Sequence, residues 1–172
     1  MEYQIIKYSD INPDTLKELF ERLSLEYLES ESVLNQQIQG FLPAYPDISN
    51  WYNKVIQEIK INPNNREMFI SLSNENNSLS ISGLMILKNH LEEKKICTLR
   101  IKDSYQKKGI GSELLEIAFG FLDTKKPLIT VPEESVDIFS RIFNKYGFEK
   151  KDEIPDLYRK NKIEYIYNGL FK

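Results

Sequence analysis

Leu99 to Ser112, with the sequence LRIKDSYQKKGIGS, is the most informative segment of this chain. A strand-like run ends at Ile101, a polar linker follows, and the pattern Gln-x-x-Gly-x-Gly leads into the helical pattern of Glu113 to Leu122. A strand, a glycine turn and a helix start form a phosphate cradle, because unpaired N–H groups and the positive end of the helix dipole point outward. Lys107 and Lys108 add full charges. The stretch predicts a site for a phosphorylated cofactor.

Two common phosphate-binding motifs do not fit this stretch. The pattern Gly-x-x-x-x-Gly-Lys-Ser/Thr is absent, and the dinucleotide pattern Gly-x-Gly-x-x-Gly fails because Leu114 stands at its third glycine. The six-residue motif alone is weak, since an ordinary glycine-containing helix start reads the same way. The order of helices and strands around the motif is therefore needed to distinguish a phosphate-binding loop from an ordinary helix start.

Composition predicts one globular domain spanning residues 1–172, long enough to bury a core. A net charge of −3 argues against nucleic acid as a partner. One cysteine, Cys97, and one histidine, His90, cannot build a structural zinc site, so no metal is predicted. Neither a signal peptide nor a membrane-length apolar run is evident, so we expect a cytoplasmic protein without membrane contact.

Hydrophobic periodicity predicts an alternation of strands and helices along the whole chain. We expect strands at 3–8, 68–72, 79–87, 95–101, 127–131, 148–151 and 163–167. We expect helices from the Asn12-Pro13 cap through Tyr27, at 48–59, from the glycine turn to Leu122, and at 135–146. Three consecutive strands favour antiparallel hairpins, and the strand–helix–strand unit favours a parallel crossover. The fold class is α/β, a mixed sheet with helices on both faces.

The element order and the loop together resemble the GNAT superfamily of acetyl-CoA-dependent N-acetyltransferases. That family has Gln/Arg-x-x-Gly-x-Gly/Ala after its fourth strand, where Gln106, Gly109 and Gly111 stand here. The segment from Phe143 to Phe148 also resembles the family's Tyr-x-x-Leu-Gly-Phe helix end. The resemblance implies a central sheet of about seven strands and about four helices, splayed between the fourth and fifth strands. The strands flanking that cleft should be parallel neighbours.

The resemblance also implies how the cofactor acetyl-CoA is held. Its pyrophosphate would lie on the loop, and its pantetheine arm would pair with the preceding strand like an added strand. Phe143 would line the cavity near the thiol. The cofactor-binding residues implied are Leu99, Arg100, Ile101, Gln106, Lys107, Lys108, Gly109, Ile110, Gly111, Ser112 and Phe143.

The groups that would move protons are less well defined. Direct attack of an amine on the thioester needs a base, and Glu133, Glu134 and Asp137 cluster after the fifth strand. Their simpler role is as carboxylates favoured by a helix N-terminus. The family's tyrosine, which protonates the leaving thiolate, maps onto Phe143, which has no proton to donate. Tyr146 is the alternative, although the pattern favours it as a packed aromatic residue.

The acceptor is expected to be a small cationic amine or a protein amino group. Residues 1–40 carry eight acidic against three basic side chains, and the family's first two helices wall the acceptor side. Aromatic side chains could line that pocket or pack as core: Phe41, Tyr45, Trp51 and Tyr52. Two alternatives are a CoA-binding module without turnover and an acetylating toxin that acts on aminoacyl-tRNA. Both a monomer and a homodimer are compatible with the sequence.

Overall fold

The computed structural model describes residues 2–39 and 47–170, with side chains for 2–30 and 47–170. The strands are β1 (Tyr3–Lys7), β2 (Arg66–Glu75), β3 (Ser78–Asn89), β4 (Lys94–Ile101), β5 (Leu128–Pro132), β6 (Lys150–Pro155) and β7 (Ile163–Tyr167). The helices are α1 (Asp14–Gln39), α2 (Ile48–Ile61), α3 (Ile110–Leu122) and α4 (Val136–Lys145). Within the described ranges, no helix combines the length and apolarity needed to cross a membrane.

The strands form one seven-stranded sheet in the order β1-β2-β3-β4-β5-β7-β6. Neighbouring strands are antiparallel except β4 and β5, which are parallel and joined through α3. A parallel pair requires such a crossover, because the chain must return to the same end of the sheet. The predicted mixed sheet and the parallel placement of these two strands are confirmed.

Helices cover both faces of the sheet, and each face has its own apolar core. The alternation of β2 sends Met68 and Ile70 toward α1 and α2, while Phe69 points toward α3. The core under α1 and α2 contains Tyr8, Leu28, Tyr52, Val55, Ile56, Ile59, Met68, Ile70, Leu84 and Ile86. The core under α3 and α4 includes Met85, Leu87, Ile96, Leu99, Leu114, Leu115, Ala118, Phe139, Phe143 and Phe148.

Several element ends differ from the sequence prediction. Helix α1 begins at Asp14, and the Pro13 carbonyl accepts from Lys17 N–H, so Pro13 rather than Asn12 precedes the first turn. Strand β6 begins at Lys150 and extends to Pro155, because its partner β7 continues to pair that far. Phe148 instead lies buried in the core below it. The aromatic residues predicted in the loop of residues 40–46 lie outside the described residues.

The β2–β3 hairpin is also longer than predicted. Glu75 pairs with Ser78, so only Asn76 and Asn77 form the turn, with φ angles of 52° and 63°. A two-residue hairpin turn with both central residues left-handed matches the twist of the flanking strands, and asparagine tolerates that conformation. The polar residues from Ser73 onward, expected in the turn, are therefore strand residues.

A buried carboxylate joins β2 to the end of β1. Glu67 accepts a hydrogen bond from Ser9 Oγ at 2.6 Å, and its other oxygen accepts from Ser9 N–H and Met68 N–H. Burial is the largest influence and raises the pKa of the Glu67 carboxyl, despite these donors. The group therefore favours folding at pH values below its unfolded pKa, and this contribution is lost as pH rises through its folded pKa.

We predict that Glu67→Gln gains stability relative to the native chain as pH is raised from 4 to 7. The amide keeps the acceptor for both N–H groups and does not titrate. Thermal unfolding of both proteins across this range measures the difference. A difference in melting temperature that falls with rising pH would show that the three donors outweigh burial.

Candidate functional site

The centre of the site is a gap between β4 and β5. The two strands pair only at Lys95–Leu128 and Ile96–Ile129, after which β5 continues along β7. On its other edge β4 stays paired with β3 as far as Ile101. Within the described residues, pairing of β4 with β5 thus stops five residues before β4 ends. The predicted splay is confirmed.

The backbone of β4 alternates between β3 and this gap. Lys102 N–H donates to the Ser82 carbonyl at 2.9 Å, and the same register places Arg100 opposite Leu84. Because hydrogen bonds to one neighbour recur at every second residue, the N–H groups of Leu99 and Ile101 point away from β3 and into the gap. The main-chain edge of β4 is therefore open toward the gap.

The loop after β4 leads into the N-terminus of α3, at the same end of the sheet. Gly109 precedes the helix with φ of 93°, and no side chain caps the helix there. The first N–H with an intrahelical partner is that of Glu113, which donates to the Gly109 carbonyl. The preceding N–H groups, those of Ile110, Gly111 and Ser112, are the donors that a helix start leaves available to an anion.

Lys107 and Lys108 flank this helix start on the exposed surface. Lys107 has φ of 63°, a left-handed conformation that glycine adopts more readily than lysine. The family resemblance places a glycine frequently at this position. The backbone conformation of the loop is thus compatible with that pattern although the side chain differs.

Gln106 and Tyr105 hold the loop against the sheet. Gln106 Nε2 donates to the Ile101 carbonyl at 3.3 Å and to Asp103 Oδ1 at 3.2 Å. The buried Tyr105 donates its hydroxyl to Glu75 at 3.1 Å. Gln106 therefore positions the loop in this structure through the end of β4.

Gly111 lies where α3 packs closely against α4. A Cβ at this position would lie 3.0 Å from Ile142 Cδ1. Gly120, farther along the same helix, has nothing within 4 Å of its Cβ position. The two glycines thus differ sharply in the space around them.

A cavity of about 410 Å³ lies on the opposite face of the sheet, next to the gap. Its walls come chiefly from α2, from the strands β2 to β5, and from the segment between β6 and β7. They include Trp51, Arg66, Cys97, Thr98, Leu99, Arg100, Thr130 and Tyr158. Since Leu99 and Arg100 belong to β4 and Thr130 to β5, the cavity opens onto the gap between these strands.

The predicted catalytic carboxylates do not line this cavity. Glu133 accepts from Ile163 N–H at 3.1 Å, and Glu134 lies 2.6 Å from the buried guanidinium of Arg159. Asp137 is exposed in the first turn of α4. The first two carboxylates therefore join the start of α4 to β7 and its preceding segment. Their catalytic role remains a prediction without support from these contacts.

The two aromatic candidates on α4 lie in different surroundings. Phe143 is 1% exposed and its ring packs against Phe139, Phe148 and Tyr167. Tyr146 is half-buried and packs edge-on against Phe119 of α3. The core position of Phe143 gives no support to the predicted contact with a cofactor, and that contact remains a prediction.

Sequence reasoning missed Tyr158, Cys97 and Arg66 as residues of the cavity. Tyr158 lies in the charged segment between β6 and β7, where no periodicity marks it. Burial raises the pKa of its hydroxyl to about 12. Cys97 lies in an apolar run of the sequence, but Arg66 Nη1 donates to its sulfur at 3.1 Å. It occupies a bulge of β4, because Ile86 pairs with Thr98 and Leu87 with Ile96. No local sequence pattern predicts this bulge.

No protein-family model and no curated protein sequence matches this chain. Solved structures do match it over nearly its whole length. A GNAT-family acetyltransferase from Streptococcus pneumoniae has a TM-score of 0.66 at 14% identity, covering 99% of this chain and 100% of that one. The PaiA N-acetyltransferase from Thermoplasma acidophilum, in complex with coenzyme A, has a TM-score of 0.59 at 17% identity, with 97% and 98% covered.

A chain of the NatC complex bound to Gag peptide and CoA has a TM-score of 0.67 at 14% identity, covering 97% of each chain. These similarities show that the chain has the GNAT acetyltransferase fold. The resemblance inferred from the loop and the element order is thus confirmed at the level of the fold.

We predict that Phe143→Tyr destabilises the protein by about 1–3 kcal/mol, because the new hydroxyl would be buried among aromatic rings without a partner. Tyr146→Phe, one turn later, is the matched control and should change stability by less than about 0.5 kcal/mol. Denaturant unfolding measures both. An unchanged stability of Phe143→Tyr together with altered turnover would instead place this ring beside the cofactor.

Proposed function

We propose that this protein is an N-acetyltransferase that transfers the acetyl group of acetyl-CoA directly to an amine. The observation that carries the proposal is the gap between β4 and β5, which joins an uncapped helix start on one side to a cavity on the other. The cofactor would enter from the side of α3 and α4. The amine would enter from the cavity, so that the two meet at the backbone of β4.

The pyrophosphate would be bound by the loop and the start of α3. The N–H groups of Ile110, Gly111 and Ser112 supply donors that carry the positive end of the helix dipole. Lys107 and Lys108 add charge from the surface. Gly109 keeps the main chain accessible, and its positive φ disfavours other residues.

The pantetheine arm would extend the sheet at the open edge of β4. Leu99 and Ile101 direct their main-chain groups into the gap, as an added strand requires. The Ile101 carbonyl already accepts from Gln106, so we assign the pairing chiefly to Leu99. Its N–H is also the donor that would polarise the acetyl carbonyl, a contribution of about 3 kcal/mol in other acyl-transfer sites.

The cavity supplies a proton donor for the leaving thiolate. The Tyr158 hydroxyl is protonated at neutral pH, as in any tyrosine, and burial raises its pKa further. A hydrogen bond with Thr130 of β5 holds it near the gap. Neither Phe143 nor the carboxylates before α4 face the cavity. We therefore propose Tyr158, rather than Tyr146, as the general acid.

We predict that acetyl-CoA raises the melting temperature of the native chain and that Gly109→Glu and Gly111→Glu abolish this shift. The first variant places a carboxylate at the exposed helix start, and the second forces α3 away from Ile142 of α4 and displaces the helix start. Gly120→Glu is the matched control, since it adds the same anion to α3 where the space is open. Differential scanning fluorimetry with and without acetyl-CoA measures all three. A full shift in both loop variants would refute the assignment of the cofactor site.

We predict that Tyr158→Phe lowers kcat by about a hundredfold or more while the KM for acetyl-CoA is unchanged, because only proton transfer is removed. Tyr146→Phe should leave kcat unchanged. Thiol release from acetyl-CoA measures both variants against a panel of amines. Equal kcat in Tyr158→Phe and the native chain would remove Tyr158 from the mechanism. If the native chain is stabilised by acetyl-CoA but releases no thiol with any amine, the binding-module alternative is favoured.

A further inference from the structure

The cavity beside the gap is positively charged in a protein whose net charge is −3. Among the residues whose side chains the structure describes, its walls hold four cationic side chains, Arg66, Lys88, Lys95 and Arg100, against two carboxylates, Asp47 and Glu93. Lys88 is paired with Glu93 at 2.9 Å. The side chains of α1 described up to residue 30, whose acidity suggested a cationic acceptor, do not line it. The local field therefore favours an anion.

Arg66 is the most buried of these charges. The residue is 6% exposed, its Nε lies 3.0 Å from Glu58 Oε2, and its guanidinium lies 5.8 Å from the ring centre of Trp51. A guanidinium has five N–H donors, and the contacts with Glu58 and Cys97 engage two of its nitrogens. The planar group is therefore held by its neighbours at the cavity wall with donors left for a ligand.

Glu58 of α2 pairs with Arg66 through Nε only, and Cys97 accepts from Nη1. The remaining N–H donors of the guanidinium are not used by these two contacts. A carboxylate or phosphate inside the cavity would interact with the guanidinium where less water competes, and could do so through two parallel hydrogen bonds. Lys95 and Arg100, on β4 itself, bring further positive charge toward the gap.

We propose that the acetyl acceptor is a small amine that carries an anionic group, a carboxylate or a phosphate, which Arg66 and Lys95 recognise. This inference rests on the proposed acetyl transfer and names its substrate class. A cavity of about 410 Å³ suits a small molecule. The amino group attacks the acetyl carbonyl, the carbon–sulfur bond breaks, the amine proton is lost to solvent, and the CoA thiolate takes a proton.

The test compares amines that differ only in the anion. Aspartate is assayed against its diamide, glucosamine 6-phosphate against glucosamine, and spermidine serves as a polycation. We expect kcat/KM for at least one anionic amine to exceed that of the partner that lacks the anion by about a hundredfold. The pair of amines that shows this difference identifies the recognised group as carboxylate or phosphate. Arg66→Gln and Lys95→Gln should each raise the KM for that amine about tenfold, with the KM for acetyl-CoA unchanged.

Lys151→Gln is the matched control, because it removes the same charge from exposed β6, where Lys151 pairs with Glu149. A second readout needs no turnover: the anionic amine, but not its uncharged partner, should raise the melting temperature of the CoA-bound protein, and Arg66→Gln should abolish this rise. Equal or better use of uncharged amines or spermidine overturns the inference while leaving acetyl transfer intact. The inference is also overturned if anionic amines are neither preferred as substrates nor able to raise the melting temperature of the CoA-bound protein. Failure of acetyl-CoA to stabilise the native chain overturns the proposed function itself.

Discussion

The early end of pairing between β4 and β5 is the constraint on which the rest of the site depends. Two parallel residue pairs hold the strands together, and β5 then continues along β7 while β4 continues along β3. An unpaired strand edge inside a protein needs partners for its main-chain groups. Here that edge lies between the loop before α3 and the cavity under α2. A ligand with amide groups can satisfy it, so one feature of the backbone would account for both the proposed cofactor binding and the proposed meeting of two substrates.

The two faces of the sheet have different chemistry, and this difference separates the two proposed ligands. On the face of α3 and α4, the core is closed by aromatic packing around Phe143, and the polar features lie at the surface end of α3. On the other face, α2 leaves a cavity in which Arg66 and Tyr158 lie beside apolar walls. In the two proposals, anion recognition would depend on backbone donors on one face and on charged side chains on the other.

Sequence reasoning predicted most of the fold because its signals are local. The motif with Gly109 and Gly111 marked the helix start, and apolar periodicity marked the four helices and the buried strands. The bounds predicted for β6, 148–151, differ from the observed Lys150–Pro155. A short exposed strand has no apolar pattern of its own, and its bounds are determined by pairing with β7. Sequence reasoning could not find Tyr158 or Arg66 as cavity residues, because the contacts of both depend on distant segments. The environment of Phe143 likewise depends on Tyr167, which is far away in the chain.

Amide-resolved hydrogen exchange, measured with and without acetyl-CoA, shows whether the open edge of β4 and the start of α3 bind the cofactor. In the free protein, the N–H groups of Thr98 and Arg100 lie on the β3 side of β4, whereas that of Leu99 points into the gap. If the cofactor binds there, acetyl-CoA slows exchange selectively at Leu99 and at the start of α3, from Ile110 to Ser112. Slower exchange at those N–H groups together with unchanged exchange at Gly120 would support it. Unchanged exchange at Leu99 and at the helix start, under conditions where acetyl-CoA is bound, would contradict it.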